Sequence, residues 1–120
     1  MKPGTRSCVA YVVGKLLSGH ESSSIYDHSS SSHRNISGKV TQDVVDVYDQ
    51  EQGCHFSGKL NGNKFALYHY GNSHHVDLEV KGQSFEGYDY GTSSHYSGKV
   101  SGRSVSVYDY AQSKYFEYSL

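Results

Sequence analysis

Tyrosine, aspartate and histidine recur in this chain at fixed steps of twenty residues, and these are side chains able to stack on a flat ligand, accept a proton or bind a metal. Tyr48, Tyr68, Tyr88 and Tyr108 form one column, and Tyr70, Tyr90 and Tyr110 form a second. Flat rings flanked by Lys and Ser suit the face of a sugar or an unpaired base, which makes these seven tyrosines candidate ligand-binding residues. The same rings on adjacent strands also serve as a packing ladder that stiffens a sheet. Asp27, Asp49, Asp89 and Asp109 form an acidic column interrupted by His69. Catalysis needs a locally distinct acid and base. A carboxylate repeated in every unit is expected instead to accept hydrogen bonds from turn amides.

The chain has eight histidines. His55, His69, His74, His75 and His95 gather toward one edge of the repeat. Adjacent His74 and His75 point to opposite faces of a strand, so His69 and His74 are the metal-binding candidates, with Asp49 or Asp89 as a third ligand. No spacing matches a recognised metal motif, and no cofactor is expected. Cys8 and Cys54 are the only thiols. If both lie on strands of a flat meander they stand about 19 Å apart, whereas a disulfide needs α-carbons within about 7 Å. Two free, buried thiols result, which favours a reducing, cytoplasmic setting. Alternation turns Cys54 and His55 to opposite faces, which separates that nucleophile from that base. The chain has no Gly-x-Ser-x-Gly elbow, phosphate loop or His-Glu-x-x-His. A non-enzymatic protein is expected.

These columns must be positioned by short strands. Aligned at the Gly-Lys pair, the units run 35 to 54, 55 to 74, 75 to 94 and 95 to 114, with a divergent copy ahead and the half unit Tyr115 to Leu120 behind. Ile36, Phe56, Val76, Tyr96 and Phe116 share a face with Val40, Leu60, Val80, Val100 and Leu120, while Ser37, Lys39 and their equivalents face the other way. Period two is the strand signature. Each unit is read as two strands joined at Asn61-Gly62, Lys81-Gly82 or Ser101-Gly102, with short polar return turns such as Gly71-Asn72-Ser73. Centring the hairpin on Asn61-Gly62 pairs Leu60 with Asn63, Gly58 with Phe65 and Phe56 with Leu67. The expected fold is therefore all-β: one domain, residues 1 to 120, forming an antiparallel up-and-down meander of about ten or eleven short strands, open or closed as a barrel. A β-solenoid with twenty-residue rungs is the alternative. Helix is expected to be nearly absent, and the divergent first copy, Ser- and His-rich from His20 to Ser24 and from His28 to His33, to have a longer first hairpin loop.

Composition narrows the partners. Eleven basic against twelve acidic residues give a formal charge of -1, which removes the field expected of a duplex-DNA binder. No run approaches a membrane-helix length. Met1 to Val13 has a basic front and an apolar stretch, but Gly14-Lys15 interrupts it, so it is read as the first strand rather than a signal peptide. That makes Cys8–Val13 and Tyr115–Leu120 the edge strands, both β-prone and poorly charged, and such edges are either closed on each other or used between copies. The leading functional expectation is a self-assembling structural protein, a homo-oligomer pairing through its terminal strands. A carbohydrate-binding module using the tyrosine face is the alternative, and a small-ligand-binding β-barrel is a further one.

Overall fold

A computed structural model describes residues 1–120. It begins with a helix, α1 (Pro3–Ser18), followed by ten strands: β1 (Ser24–Asp27), β2 (Ser32–Val40), β3 (Val44–Asp49), β4 (Cys54–Asn61), β5 (Lys64–His69), β6 (His74–Lys81), β7 (Ser84–Asp89), β8 (Ser94–Ser101), β9 (Ser104–Asp109) and β10 (Lys114–Ser119). Every strand pairs antiparallel with its sequence neighbours, and β1 pairs with β10, so the meander closes into a ten-stranded barrel. The all-β meander read from the repeat is the fold, and the closed form is the one adopted.

The hairpin register differs from the expected one by two residues. Asn61 pairs with Lys64, Leu60 with Phe65, Gly58 with Leu67 and Phe56 with His69. The central turn residues are Gly62 and Asn63, with Gly62 at φ 68° and negative φ at Asn63, the arrangement of a type II′ turn. Because the slip is two residues and side chains alternate with period two, every apolar residue stays on the predicted face. Each hairpin then places a glycine opposite an aliphatic residue at mid-strand: Gly38 with Val47, Gly58 with Leu67 and Gly98 with Val107, while the third unit inverts the order as Leu78 with Gly87. A Cβ at Gly98 would run into the Ser106 carbonyl oxygen and the ring of Phe85, so strand curvature depends on the missing side chain there.

The segment expected as a first strand is instead α1, and it occupies the barrel lumen. Gly4 through Gly14 are all buried, and Val9, Val12, Val13 and Tyr11 are fully so. Pro3 at the first helical position and Gly19 at φ 70°, whose N–H donates to Lys15 O, bound it. The β propensity of Val9, Tyr11, Val12 and Val13 is overridden because the stretch is apolar around the whole helical circumference, and a helix of that kind is stable only when enclosed. Its side chains and the inward strand columns form one cluster of 23 buried hydrophobic residues. The predicted long first loop divides into a helix-to-strand connection, residues 20 to 23, and an ordinary four-residue return turn between Asp27 and Ser32.

The barrel seam is short. Only Tyr26–Ser119 and Asp27–Tyr118 pair across it, supplemented by His28 N–H donating to Glu117 O at 3.0 Å. The α1–β1 connection supports this side: Lys15 Nζ donates to Gly38 O at 2.8 Å and the Tyr11 hydroxyl donates to Ser22 O.

Candidate functional site

The acidic column forms a buried inward-facing ring at the return-turn rim, comprising Asp27, Asp49, His69, Asp89 and Asp109. Each aspartate accepts, through Oδ1, the amide two residues on: Ser29 at 2.9 Å, Glu51 at 2.9 Å, Gly91 at 2.9 Å and Ala111 at 3.0 Å. His69 replaces them as a neutral acceptor, its Nδ1 taking the Asn72 N–H at 3.1 Å. Burial, and then the nearby His74, hold its pKa below the ordinary imidazole value. The column thus terminates strands by satisfying turn amides that face away from water.

The free oxygens of this ring receive groups brought by α1. Asp109 Oδ2 accepts from the Met1 ammonium at 2.8 Å and from Arg6 Nη1 at 3.0 Å. Arg6 also donates to Met1 O and to the Tyr118 hydroxyl, and its guanidinium lies 3.4 Å from the Phe116 ring centroid. Asp49 Oδ2 accepts from Gln52 Nε2 at 2.6 Å and from Cys8 Sγ at 3.6 Å. Asn72 Nδ2 donates to Thr5 Oγ1. None of these meetings follows from the sequence reading, which puts Cys8 at the start of an edge strand and Arg6 in the basic segment ahead of it. The Pro3-to-Gly19 bracket was the signal that could have placed them on a helix.

The two metal candidates lie side by side without converging. The His69 and His74 rings stack at 5.7 Å and 10°, and His74 Nδ1 sits 3.2 Å from Asp89 Oδ1. No group of three or more His, Cys, Asp or Glu side chains is arranged to hold a metal ion.

The tyrosine columns stand on the outside of the wall. Tyr68, Tyr88 and Tyr108 each meet Tyr70, Tyr90 and Tyr110 respectively in edge-to-face contact at 4.8 Å. Each also meets its cross-strand partner, His75, His95 or Tyr115, at the same distance. Tyr48 packs on His55, and Gln50 replaces its second tyrosine. Tyr70, Tyr90 and Tyr110 remain more than half exposed. Packing ladder and presented surface are therefore the same residues: the inner ring of each pair is held by two neighbours and the outer one projects.

Beside this ladder lies a cleft of about 380 Å³ lined by Lys64, Asp77, Glu79, Glu86, Gly87, Tyr88, His95, Tyr96, Ser97 and Tyr110. Tyr90 donates its hydroxyl to Asp77 Oδ2 at 3.1 Å, and that hydrogen bond raises the phenol's pKa. Lys81 bridges Glu86 at 3.2 Å and Glu79 at 3.4 Å. The outward positions also carry Lys39, Asp46, Lys59, Lys99 and Glu117, in contrast to the apolar outer band of a lipid-facing barrel. No helix is long and apolar enough to cross a membrane.

The class defined by this geometry is a closed ten-stranded antiparallel barrel with an internal helix and an aromatic outer wall. No family model, curated protein or solved structure gives a match to the chain.

Proposed function

We propose that this protein is a non-enzymatic carbohydrate-binding module whose ligand lies on the tyrosine-lined outer wall, anchored in the cleft beside Tyr88 and Tyr110. The observation that carries the reading is the juxtaposition of flat, partly exposed rings with carboxylates and a lysine in one cleft. A sugar's C–H face stacks on an aromatic ring, its hydroxyls donate to Asp77, Glu79 or Glu86, and Lys64 donates to a ring or hydroxyl oxygen. The lumen is unsuited to the ligand-barrel alternative because α1 fills it. A glycan array probed with wild type and with Tyr88→Ala tests the module: a tyrosine-dependent signal is expected, and binding that is absent or indifferent to the substitution overturns it.

A second reading, self-association, no longer has two free terminal strands to rest on, since Cys8–Val13 lies in α1. What favours it now is the seam, where Lys114 to Phe116 pair with β9 and have no strand partner on the other side. Light scattering over a concentration series separates it, because a monomer at high concentration removes it.

A further inference from the structure

We propose that the ligand of the cleft is cationic, an oligosaccharide of amino sugars whose free amines are recognised by Asp77, Glu79 and Glu86; this rests on the carbohydrate-binding reading of the same cleft. The repeat supplies its own reference. In β2, β4 and β8 the mid-strand residues are Ser37-Gly38-Lys39, Ser57-Gly58-Lys59 and Ser97-Gly98-Lys99, whereas β6 carries Asp77-Leu78-Glu79 in the same register. On the following strands Val47, Leu67 and Val107 have Gly87 as their counterpart. Asp77, Glu79 and Gly87 all line the cleft, so the departures of the third unit converge on one place.

Packing accounts for half of them. The ring of Tyr96 crosses the inner side of Gly87, where a Cβ would run into it, and its hydroxyl donates to Asp77 O at 2.8 Å. Leu78, fully buried opposite Gly87, restores the aliphatic side chain that the glycine lacks. Asp77 and Glu79 face outward, where Ser and Lys serve the three other full units, and the sheet gains nothing from the exchange. Glu79 stands directly opposite Glu86, and like charges paired across strands are destabilising. Lys81 reaches both, at 3.4 and 3.2 Å, and neutralises one of the two charges. The cleft lining itself holds three carboxylates against a single lysine, Lys64.

The oxygens left over point to the same ligand. Tyr90 takes Oδ2 of Asp77, and Lys81 takes Oε2 of Glu79 and Oε1 of Glu86. Each carboxylate keeps its other oxygen for a donor in the cleft, beside the rings of Tyr88 and Tyr110. An ammonium donates three hydrogen bonds and is attracted both to carboxylates and to aromatic faces. A hexosamine with a free amine carries that group next to the C–H face that stacks on tyrosine. Its N-acetylated form keeps the ring and loses the charge, and an acidic sugar meets repulsion.

The test titrates the full-length protein with the fully deacetylated glucosamine hexamer and with the N-acetylglucosamine hexamer, by calorimetry at a mildly acidic pH that keeps the amines protonated. The deacetylated hexamer is expected to bind about tenfold more tightly, with the preference shrinking as salt is added. Asp77→Ser combined with Glu79→Lys installs the residues that β2, β4 and β8 already carry, and it should abolish the preference. Asp46→Asn, which removes an outward carboxylate of β3 away from the cleft, should leave it intact. Glu79→Gln, a milder change, should reduce the preference and serves if the double variant fails to fold. Equal binding of the two hexamers, both lost in Tyr88→Ala, overturns the cationic ligand and leaves the carbohydrate module standing. A preference undiminished in the cleft variants overturns the assignment to these carboxylates, and binding of neither hexamer overturns both readings.

Discussion

Arg6 is the side-chain cation that α1 carries into the barrel, and replacing it with methionine measures how strongly the helix is fastened to the wall. The guanidinium loses its bonds to Asp109, Met1 O and Tyr118 together with its contact on Phe116. Breaking a buried ion pair costs about 3 to 5 kcal/mol because the remaining charge is left without its partner. Here Asp109 keeps the Met1 ammonium at 2.8 Å and the Ala111 amide at 3.0 Å, so the loss belongs at the lower end, about 3 kcal/mol. Methionine fills most of the vacated volume, which keeps cavity formation out of the measurement. At ~2.1 cal/mol/K per residue, the unfolding entropy of this chain is roughly 250 cal/mol/K, and about 3 kcal/mol lowers Tm by about 12 °C. Urea titration followed by circular dichroism gives the free energy directly, with Lys39→Met on the outer wall as a comparison expected to stay within about 0.5 kcal/mol. A loss below about 1 kcal/mol for Arg6→Met would refute the view that this buried pair anchors the helix.

Two further predictions concern backbone strain and pH. Ser31, Ser73, Ser93 and Ser113 hold positive φ at the end of their return turns, where the fifth unit member, Gly53, sits at φ 65°. Ser93→Gly should stabilise by about 0.5 to 1 kcal/mol, since relief of left-handed strain exceeds the entropic cost of glycine, and an unchanged or lower melting temperature would contradict it. His69 has a lowered folded pKa, so its contribution is complete above the unfolded value of about 6.5 and is lost as pH falls below it. Tyr96 and Tyr118 have raised folded values from burial, so their contribution is complete below about pH 10 and is lost as pH rises beyond it. Urea midpoints against pH should therefore fall on both sides, and His69→Gln should flatten the slope below about pH 6.5; an unaltered slope would remove His69 as its source.

The strand half of this fold was legible because each unit repeats its alternation and its turn residues, and because a two-residue error in register leaves every face unchanged. Phe56, Val76 and Tyr96 point inward whether the turn is centred on Asn61-Gly62 or on Gly62-Asn63. The aspartates' bonding to turn amides followed from their repetition at strand ends. The meeting of Cys8 with Asp49, or Arg6 with Asp109, depends on contacts between α1 and strands at least forty residues away, and strand periodicity carries no information about such contacts. Locally, Val9, Tyr11, Val12 and Val13 favour a strand, and the flanking Pro3 and Gly19 are a weaker signal than four β-prone positions among five.

Barrel geometry itself supplies the missing constraint. About eight strands enclose a space that wall side chains fill, and a ten-stranded barrel encloses more. In this chain the inward mid-strand positions hold Gly38, Gly58, Gly87 and Gly98, which widens the lumen further. A wide apolar space with glycine walls is unstable unless something of matching size occupies it, because unfilled contacts are lost outright. Taken alone, the glycines look like a poor lining for a ligand cavity. Taken with closure, they are the clearance required by a helix of about 10 Å diameter, and the one apolar run outside the repeat, Cys8 to Val13, is the segment available to be that helix. Closure, glycine placement and the leftover apolar run together imply an internal helix, although none of the three does so alone.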